Sequence, residues 1–168
     1  MGEIMIRPGR VTDVQIVLDL FDGAVEWLVA HGRSAQWGSA PWSSDPKRVE
    51  RVHGMVAAGE LHVAEIDGAP VGILLLGEPL PYVPPVDEPE VYIDLLLTAR
   101  RHAGSGIGSA LLAVARERAR AQGISLLRVD CWAGGDRKLV AYYENQGFSP
   151  TVEVPVNDTS AQVFEQRL

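Results

Sequence analysis

The sequence predicts an α/β domain built on a mixed sheet, and three observations carry that prediction. Apolar runs at strand period and at helix period succeed one another in the order β-α-α-β-β-β-α-β-α-β-β. Two early strands meet at Asp67-Gly68-Ala69, a hairpin signal that makes the first half an antiparallel meander. Further on, Val91–Leu97, a single helix and Ser125–Cys131 follow so closely that the two strands should be parallel, joined by a right-handed crossover. At 168 residues the chain reads as one domain, 1–168, large enough to bury a real core.

Taken in order, Ile4-Met5-Ile6-Arg7 is a short strand ended by Pro8-Gly9. The first helix opens at Thr12, an N-cap with Gln15 completing a capping box, and carries Val14, Val17, Leu18, Phe21, Val25 and Leu28 at helical spacing. Gly23 weakens it and marks a place for a break. His31–Ser44 has no period and holds Trp37 and Trp42, so it is a loop that covers something. Asp45 caps a second helix, with Pro46 in the first turn and Val49, Val52, Met55 and Val56 facing inward. Leu61–Ile66 and Pro70–Leu76 are the hairpin strands. Five prolines between Glu78 and Glu90 then forbid regular structure and leave a stiff loop. The leucine-rich end of Val91–Leu97 suggests burial on both faces. Asp136–Gln146 reads as a short helix closed by Gly147, and Thr151–Val156 and Ala161–Gln166 as a hairpin around Asn157-Asp158.

The most informative stretch joins the fourth strand to the third helix. Gly104, Gly106 and Gly108 free the backbone for positive φ and remove side chains that would keep a ligand from its amides. Ile107, Leu111, Leu112, Val114, Ala115 and Ala119 then recur at helical spacing up to Gly123, a residue suited to the left-handed C′ position. The turn thus sits on a helix N-terminus, where unpaired N–H groups and the helix dipole attract phosphate. Charge agrees: the chain carries a net charge of −7, yet Thr98–Gln122 holds five arginines (100, 101, 116, 118 and 120) against one acid, Glu117. On the loop alone, a tight strand-to-helix turn beside a solvated arginine face reads equally well.

Other function classes fall away. A dinucleotide-binding loop needs glycine where this chain has Ser109, although Asp130 lies at the spacing of a ribose carboxylate. No Gly-Lys-Ser/Thr makes a nucleoside-triphosphate loop. Net acidity without a basic stripe argues against nucleic acid as a partner. His31, His53, His62 and His102 lack ligand spacing, so no metal is expected. No apolar run approaches the roughly 18–20 residues of a membrane span, and Met1–Arg10 lacks the pattern of a secretion signal. A single cysteine, Cys131, agrees with a reducing compartment, so the expectation is a cytoplasmic protein without membrane contact. Cysteine in a strand reads as a small core residue rather than a nucleophile.

With the element order in place, HAGSGIGSALL followed by YYENQGF resembles the GNAT superfamily, the acyl-CoA-dependent N-acetyltransferases. The resemblance covers nearly the whole chain and implies a GNAT-like fold: an antiparallel meander, a central parallel strand pair splayed at the cofactor site, and flanking helices. In that family the turn binds the coenzyme A pyrophosphate through backbone amides, in the pattern Gln/Arg-x-x-Gly-x-Gly/Ala. The best register here is Ala103-Gly104-Ser105-Gly106-Ile107-Gly108, running on to Ser109, with alanine in the leading place; a frame from Arg101 restores arginine but displaces the helix start. Arg100, Arg101 or His102 can stand in for the missing side chain. Leu96, Leu97 and Thr98 end the splayed fourth strand, where backbone groups left unpaired would bind the amides of the pantetheine arm. Asp136 stands where the family often has an asparagine touching the cofactor, and a carboxylate cannot donate as that amide does.

By the same resemblance, Tyr143 matches the tyrosine beside the thioester sulfur, which protonates the departing thiolate. It also falls at C3 of a Schellman cap formed with Gly147 and Phe148, and the two readings are compatible. Asp94, the one acid in the fourth strand, is a candidate base for the protonated amine, or a polar residue on a strand face. Trp37, Trp42, Tyr82 and the proline-rich loop resemble the variable acceptor side, while the tryptophans also suit packing of the first helix-to-helix loop. The implied activity is transfer of an acetyl group from acetyl-CoA to a primary amine of a small molecule or peptide, by direct attack in a ternary complex. The rival is a catalytically lapsed acyl-CoA-binding module, which Ala103 and Asp136 keep open. The family's frequent dimers raise a homodimer as an expectation.

Overall fold

A computed structural model describes residues 2–32 and 38–168. Its elements follow the expected order: β1 (Ile4–Pro8), α1 (Val14–Ala30), α2 (Pro46–Ala58), β2 (Glu60–Ile66), β3 (Ala69–Gly77), β4 (Val91–Thr98), α3 (Ile107–Ala121), β5 (Leu126–Trp132), α4 (Lys138–Asn145), β6 (Ser149–Val156) and β7 (Thr159–Arg167). The strands make one mixed sheet in the order β1-β2-β3-β4-β5-β7-β6. β4 and β5 run parallel, with Val91 opposite Leu127, Tyr92 opposite Arg128 and Ile93 opposite Val129. β1–β2, β2–β3, β5–β7 and β6–β7 are antiparallel. The tight hairpins rest on left-handed residues, Asp67 (φ 52°) with Gly68 (φ 78°) in one and Asn157 (φ 52°) in the other. The residues group into two compact units, Met1–Gly77 with Leu95–Ala113, and Glu78–Asp94 with Val114–Leu168.

In the first unit, α1 and α2 lay Val14, Val17, Leu18, Phe21, Val25, Val52 and Val56 against Leu61, Val63, Ile73, Leu75 and Leu97. The predicted capping box at Thr12 and Gln15 is replaced by a different start. Thr12 lies inside a 3-10 turn, Val11–Asp13, and Asp13 accepts the Arg10 N–H at 2.8 Å. Arg7 fixes that carboxylate through two bonds of 3.0 Å, and an ion-paired carboxylate is a stronger acceptor than a hydroxyl. Gln15 donates instead to Asp19 at 2.8 Å. Nor does α1 break at Gly23, which faces open solvent. A glycine there costs about 1 kcal/mol, less than burial of one large apolar side chain returns. Asp45 caps α2 as expected, accepting the Lys47 N–H at 3.0 Å with Pro46 in the first turn.

In the second unit, α3 ends at Gly123 as expected, in a Schellman cap. The Ile124 N–H reaches Ala119 O at 2.9 Å and the Gly123 N–H reaches Arg120 O at 3.0 Å, with Gly123 at φ 69°. α4 repeats the device, with Phe148 N–H on Tyr143 O at 3.1 Å, Gly147 N–H on Glu144 O at 3.0 Å and Gly147 at φ 92°. The helix starts at Lys138 rather than Asp136, because Arg137 takes a left-handed conformation (φ 60°) that helical backbone cannot continue. β4 is fully buried over Val91–Ile93, where it registers with β5. Leu95 and Leu96 are only half-buried, so the leucine-rich end is not covered on both faces as expected.

Candidate active site

Beyond β4 the chain makes a 3-10 turn at Arg100–His102 and enters α3 through the glycines. Gly104 (φ 80°) and Gly106 (φ 83°) are left-handed, and a Cβ at either would meet nothing within 4 Å. Conformation therefore demands glycine at both, and the backbone between them is open. Gly108 differs: it lies in the first turn of α3 and has no left-handed φ. The Ala103 and Ser105 amides are committed within the turn, to Arg100 O and His102 O at 3.1 Å each. Gly106 O takes the Ala110 N–H at 3.0 Å as the first helical bond. The amides of Ile107 and Gly108 have no acceptor four residues back, and they stand at the positive end of the helix dipole. The amides that this turn leaves uncommitted are therefore those of Gly104, Gly106, Ile107 and Gly108.

Packing fixes that helix start. Ile107, Leu111, Leu112, Ala115 and Ala119 are buried, as their spacing predicts. A Cβ on Gly72 of β3 would lie 2.8 Å from Ile107 Cγ2, 3.1 Å from Leu97 O and 3.2 Å from Leu111 Cδ1, so glycine lets α3 approach the strand. Sequence reasoning passed over Gly72, although glycine inside a strand signals such an approach. The arginines divide by role. The Arg100 guanidinium lies 4.1 Å from the centre of the Trp27 ring, and Arg101 donates to Pro70 O at 3.4 Å, both exposed at the entry to the turn. Arg116 is half-buried, donating to Gln166 Oε1 and Gln146 O at 2.6 Å each. Of the three residues expected along the pantetheine, Leu97 is buried, and Leu96 and Thr98 are half-buried.

Tyr143 occupies the Schellman C3 position that its spacing implies, edge-on to Phe148 at 5.8 Å and tilted on Phe164 at 5.6 Å. Its ring is buried and, among the described residues, none hydrogen-bonds its hydroxyl. Burial, reinforced by Cys131, Tyr142 and Asp130, pushes its phenol above the ordinary value, so it stays protonated at neutral pH. Burial also pushes the Cys131 thiol up to about 12, a direction opposite to that of a nucleophilic cysteine. Asp94 is half-buried near the middle of β4. Asp136 is exposed and accepts the Lys138 N–H at 3.2 Å.

On the expected acceptor side, Trp42 is a core residue. Its ring stacks on Phe21 at 4.0 Å within 2° of parallel and carries Arg48 on its surface at 4.8 Å. Trp37 lies outside the described residues. Tyr82 is half-buried and donates to Asp130 Oδ2 at 2.7 Å, and Tyr92 donates to Asp130 Oδ1. Two residues before Asp130, the buried Arg128 pairs with Glu90, its Nε 2.5 Å from Oε2, and donates to Pro84 O at 3.1 Å. Arg128 went unremarked in the sequence; the signal was two charged residues at period two in the otherwise apolar run SLLRVDC.

Comparison with known proteins agrees with this architecture. The sequence model of the Acetyltransferase (GNAT) family matches residues 25–148. No curated protein matches the chain. Among solved structures, a ribosomal-protein-alanine N-acetyltransferase from Brucella melitensis is 22% identical, with a TM-score of 0.70 over 98% of this chain and 99% of that one. The PaiA N-acetyltransferase from Thermoplasma acidophilum, solved with coenzyme A, is 15% identical, with a TM-score of 0.71 over 99% of each chain. An acetyltransferase from Salmonella typhimurium, solved with its cofactor acetyl-CoA, is 18% identical, with a TM-score of 0.69 over 98% of this chain and 94% of that one. With a family match across three-quarters of its length, and the fold and glycine turn that go with it, this chain belongs to the GNAT family of acetyltransferases.

Proposed function

We propose that the chain is a single-domain, cytoplasmic N-acetyltransferase that moves an acetyl group from acetyl-CoA to a primary amine of a small molecule or peptide, within a ternary complex. The observation that carries this reading is the turn at Gly104 and Gly106, with its open left-handed backbone at the start of α3. Backbone N–H groups aimed from a helix start suit a diphosphate and need no side chain, so alanine at position 103 is tolerated. Family membership gives acetyl-CoA as the co-substrate, and the two solved relatives that hold coenzyme A or acetyl-CoA share the fold. In this reading Leu96, Leu97 and Thr98 present backbone groups to the pantetheine amides.

The chemistry asked of the protein is modest. The amine nitrogen must lose a proton, then form a bond to the thioester carbonyl carbon as the bond to sulfur breaks; the nitrogen sheds a second proton as the neutral amide forms, which balances the one taken up by the departing thiolate. Asp94 takes the first proton, directly or through water. Tyr143, held protonated by its burial, donates to the sulfur. Acetylation removes one positive charge from the acceptor, which suits a net charge of −7 on the enzyme. A direct test is acetyl-CoA turnover with putrescine, phenethylamine and a peptide with an amino-terminal alanine. We expect acetylation of at least one amine and a fall of about a hundredfold in kcat for Asp94→Asn. Acetyl-CoA binding without turnover on any of the three would contradict the enzyme reading and favour the lapsed module.

A further inference from the structure

We propose that Arg128 and Asp130 are positioning residues for the amine acceptor: from one face of β5 they fasten the 78–90 segment into a preformed wall that sets where Tyr82 meets the substrate. This rests on the reading that the proline-rich segment lines the acceptor side. Residues two apart in a strand share a face, so Arg128 and Asp130 point the same way, and Tyr92 joins them because it registers with Arg128 in the parallel pair. Asp130 receives both tyrosine hydroxyls, Tyr82 from the segment and Tyr92 from β4. Arg128 grips the segment twice more, through the Glu90 carboxylate and Pro84 O. On the neighbouring strand, Arg167 adds an exposed fork to Glu88 at 2.7 and 2.8 Å. Val83 completes the attachment by packing with Tyr92 and Val163.

The arrangement does more than stabilise. A buried ion pair contributes little net stability, because desolvation offsets its attraction, and the role proposed for this one is to select a single geometry of the segment. Arg128 is 5% exposed, and it donates its hydrogen bonds to the segment, to the Glu90 carboxylate and Pro84 O, with the Tyr92 ring beneath its guanidinium. A stretch without regular backbone bonds would otherwise sample many conformations. Five prolines narrow that range before folding, and the clasp removes the rest. The segment therefore behaves as a fixed wall that needs no closing step, and binding an amine costs little ordering.

The test compares the wild type with Tyr82→Phe, Asp130→Asn and Arg128→Lys, using whichever amine of the panel above is turned over fastest. Tyr82→Phe keeps the ring and the Asp130 charge; Arg128→Lys keeps a charge but loses the planar fork. We expect all three to stay folded by thermal melt, with faster amide hydrogen exchange within 78–90. The amine KM should rise about tenfold, the effect of one lost charge-assisted hydrogen bond, with the acetyl-CoA KM within about twofold in all three and kcat within about twofold in Tyr82→Phe and Arg128→Lys, which leave the Asp130 charge near Tyr143 in place. Equal rises in both KM values, or faster exchange with an unchanged amine KM, would overturn the proposal by leaving the clasp a purely structural role. Unchanged exchange would overturn it as well. If the wild type binds acetyl-CoA but acetylates none of the amines, the acceptor reading has failed and this inference falls with it. Turnover by wild type with indifferent variants sinks the inference alone.

Discussion

A tyrosine that closes a helix cap and a tyrosine that protonates a thiolate make different demands on one side chain, and Tyr143 can satisfy both because they use different atoms. The cap uses its carbonyl, which accepts the Phe148 N–H, and its ring, which meets Phe148. Catalysis needs only the hydroxyl. Tyr143→Phe should therefore keep the melting temperature within a degree or two while lowering kcat about a hundredfold. A large loss of stability would show that the hydroxyl is structural. Because burial raises this phenol above its ordinary value near 10, its ionisation should not limit activity below about pH 10. Rate should rise with pH as the amine loses its proton, and an alkaline fall near pH 8 that disappears in Tyr143→Phe would contradict the assignment. Asp13 offers a stability test at the same scale. Its hydrogen bonds from Arg7 hold its carboxyl below the usual carboxylate range. The contribution is complete above the unfolded value near pH 4 and is lost as pH falls through the lower folded value. Asp13→Asn should cost about 1.5–3 kcal/mol at pH 7, and the gap from wild type should close in acid.

At the scale of elements, periodicity and caps were legible where they are local. Asp45 with Pro46, Gly123 after α3, and the Tyr143-Gly147-Phe148 cap all fall where the sequence puts them, since each depends on residues within six positions. What sequence reading missed depends on distant partners. Tyr82 is 48 residues from Asp130 and Arg128 is 38 from Glu90, separations at which one sequence carries no pairing signal. The start of α1 was misread for a related reason: Thr12 and Gln15 have the spacing of a local cap, but Arg7 on β1 holds the Asp13 carboxylate against the Arg10 N–H and forms the 3-10 turn instead. Trp42 belonged to a loop without period, and only the fold shows its ring stacked on Phe21. Gly72 is the element-scale position with the sharpest consequence. Gly72→Val would drive a side chain into Ile107, Leu111 and the Leu97 carbonyl. It should cost about 1–3 kcal/mol through overpacking, and weaken coenzyme A binding as the start of α3 is displaced. Lost stability with unchanged coenzyme affinity would uncouple that helix start from the ligand.

For the molecule as a whole, the sheet order β1-β2-β3-β4-β5-β7-β6 with its β4–β5 parallel pair reproduces the class read from element order alone. No helix among the described residues is long and apolar enough to cross a membrane. The turn before α3 is proposed to act as a diphosphate cradle, and calorimetric titration of the intact protein with coenzyme A measures that without knowledge of the acceptor. Saturable binding is expected, with a melting temperature that climbs as ligand exceeds Kd, and Gly106→Val should abolish both by removing the left-handed turn. Absence of binding to the wild type, or undiminished binding to Gly106→Val, would contradict that role of the turn.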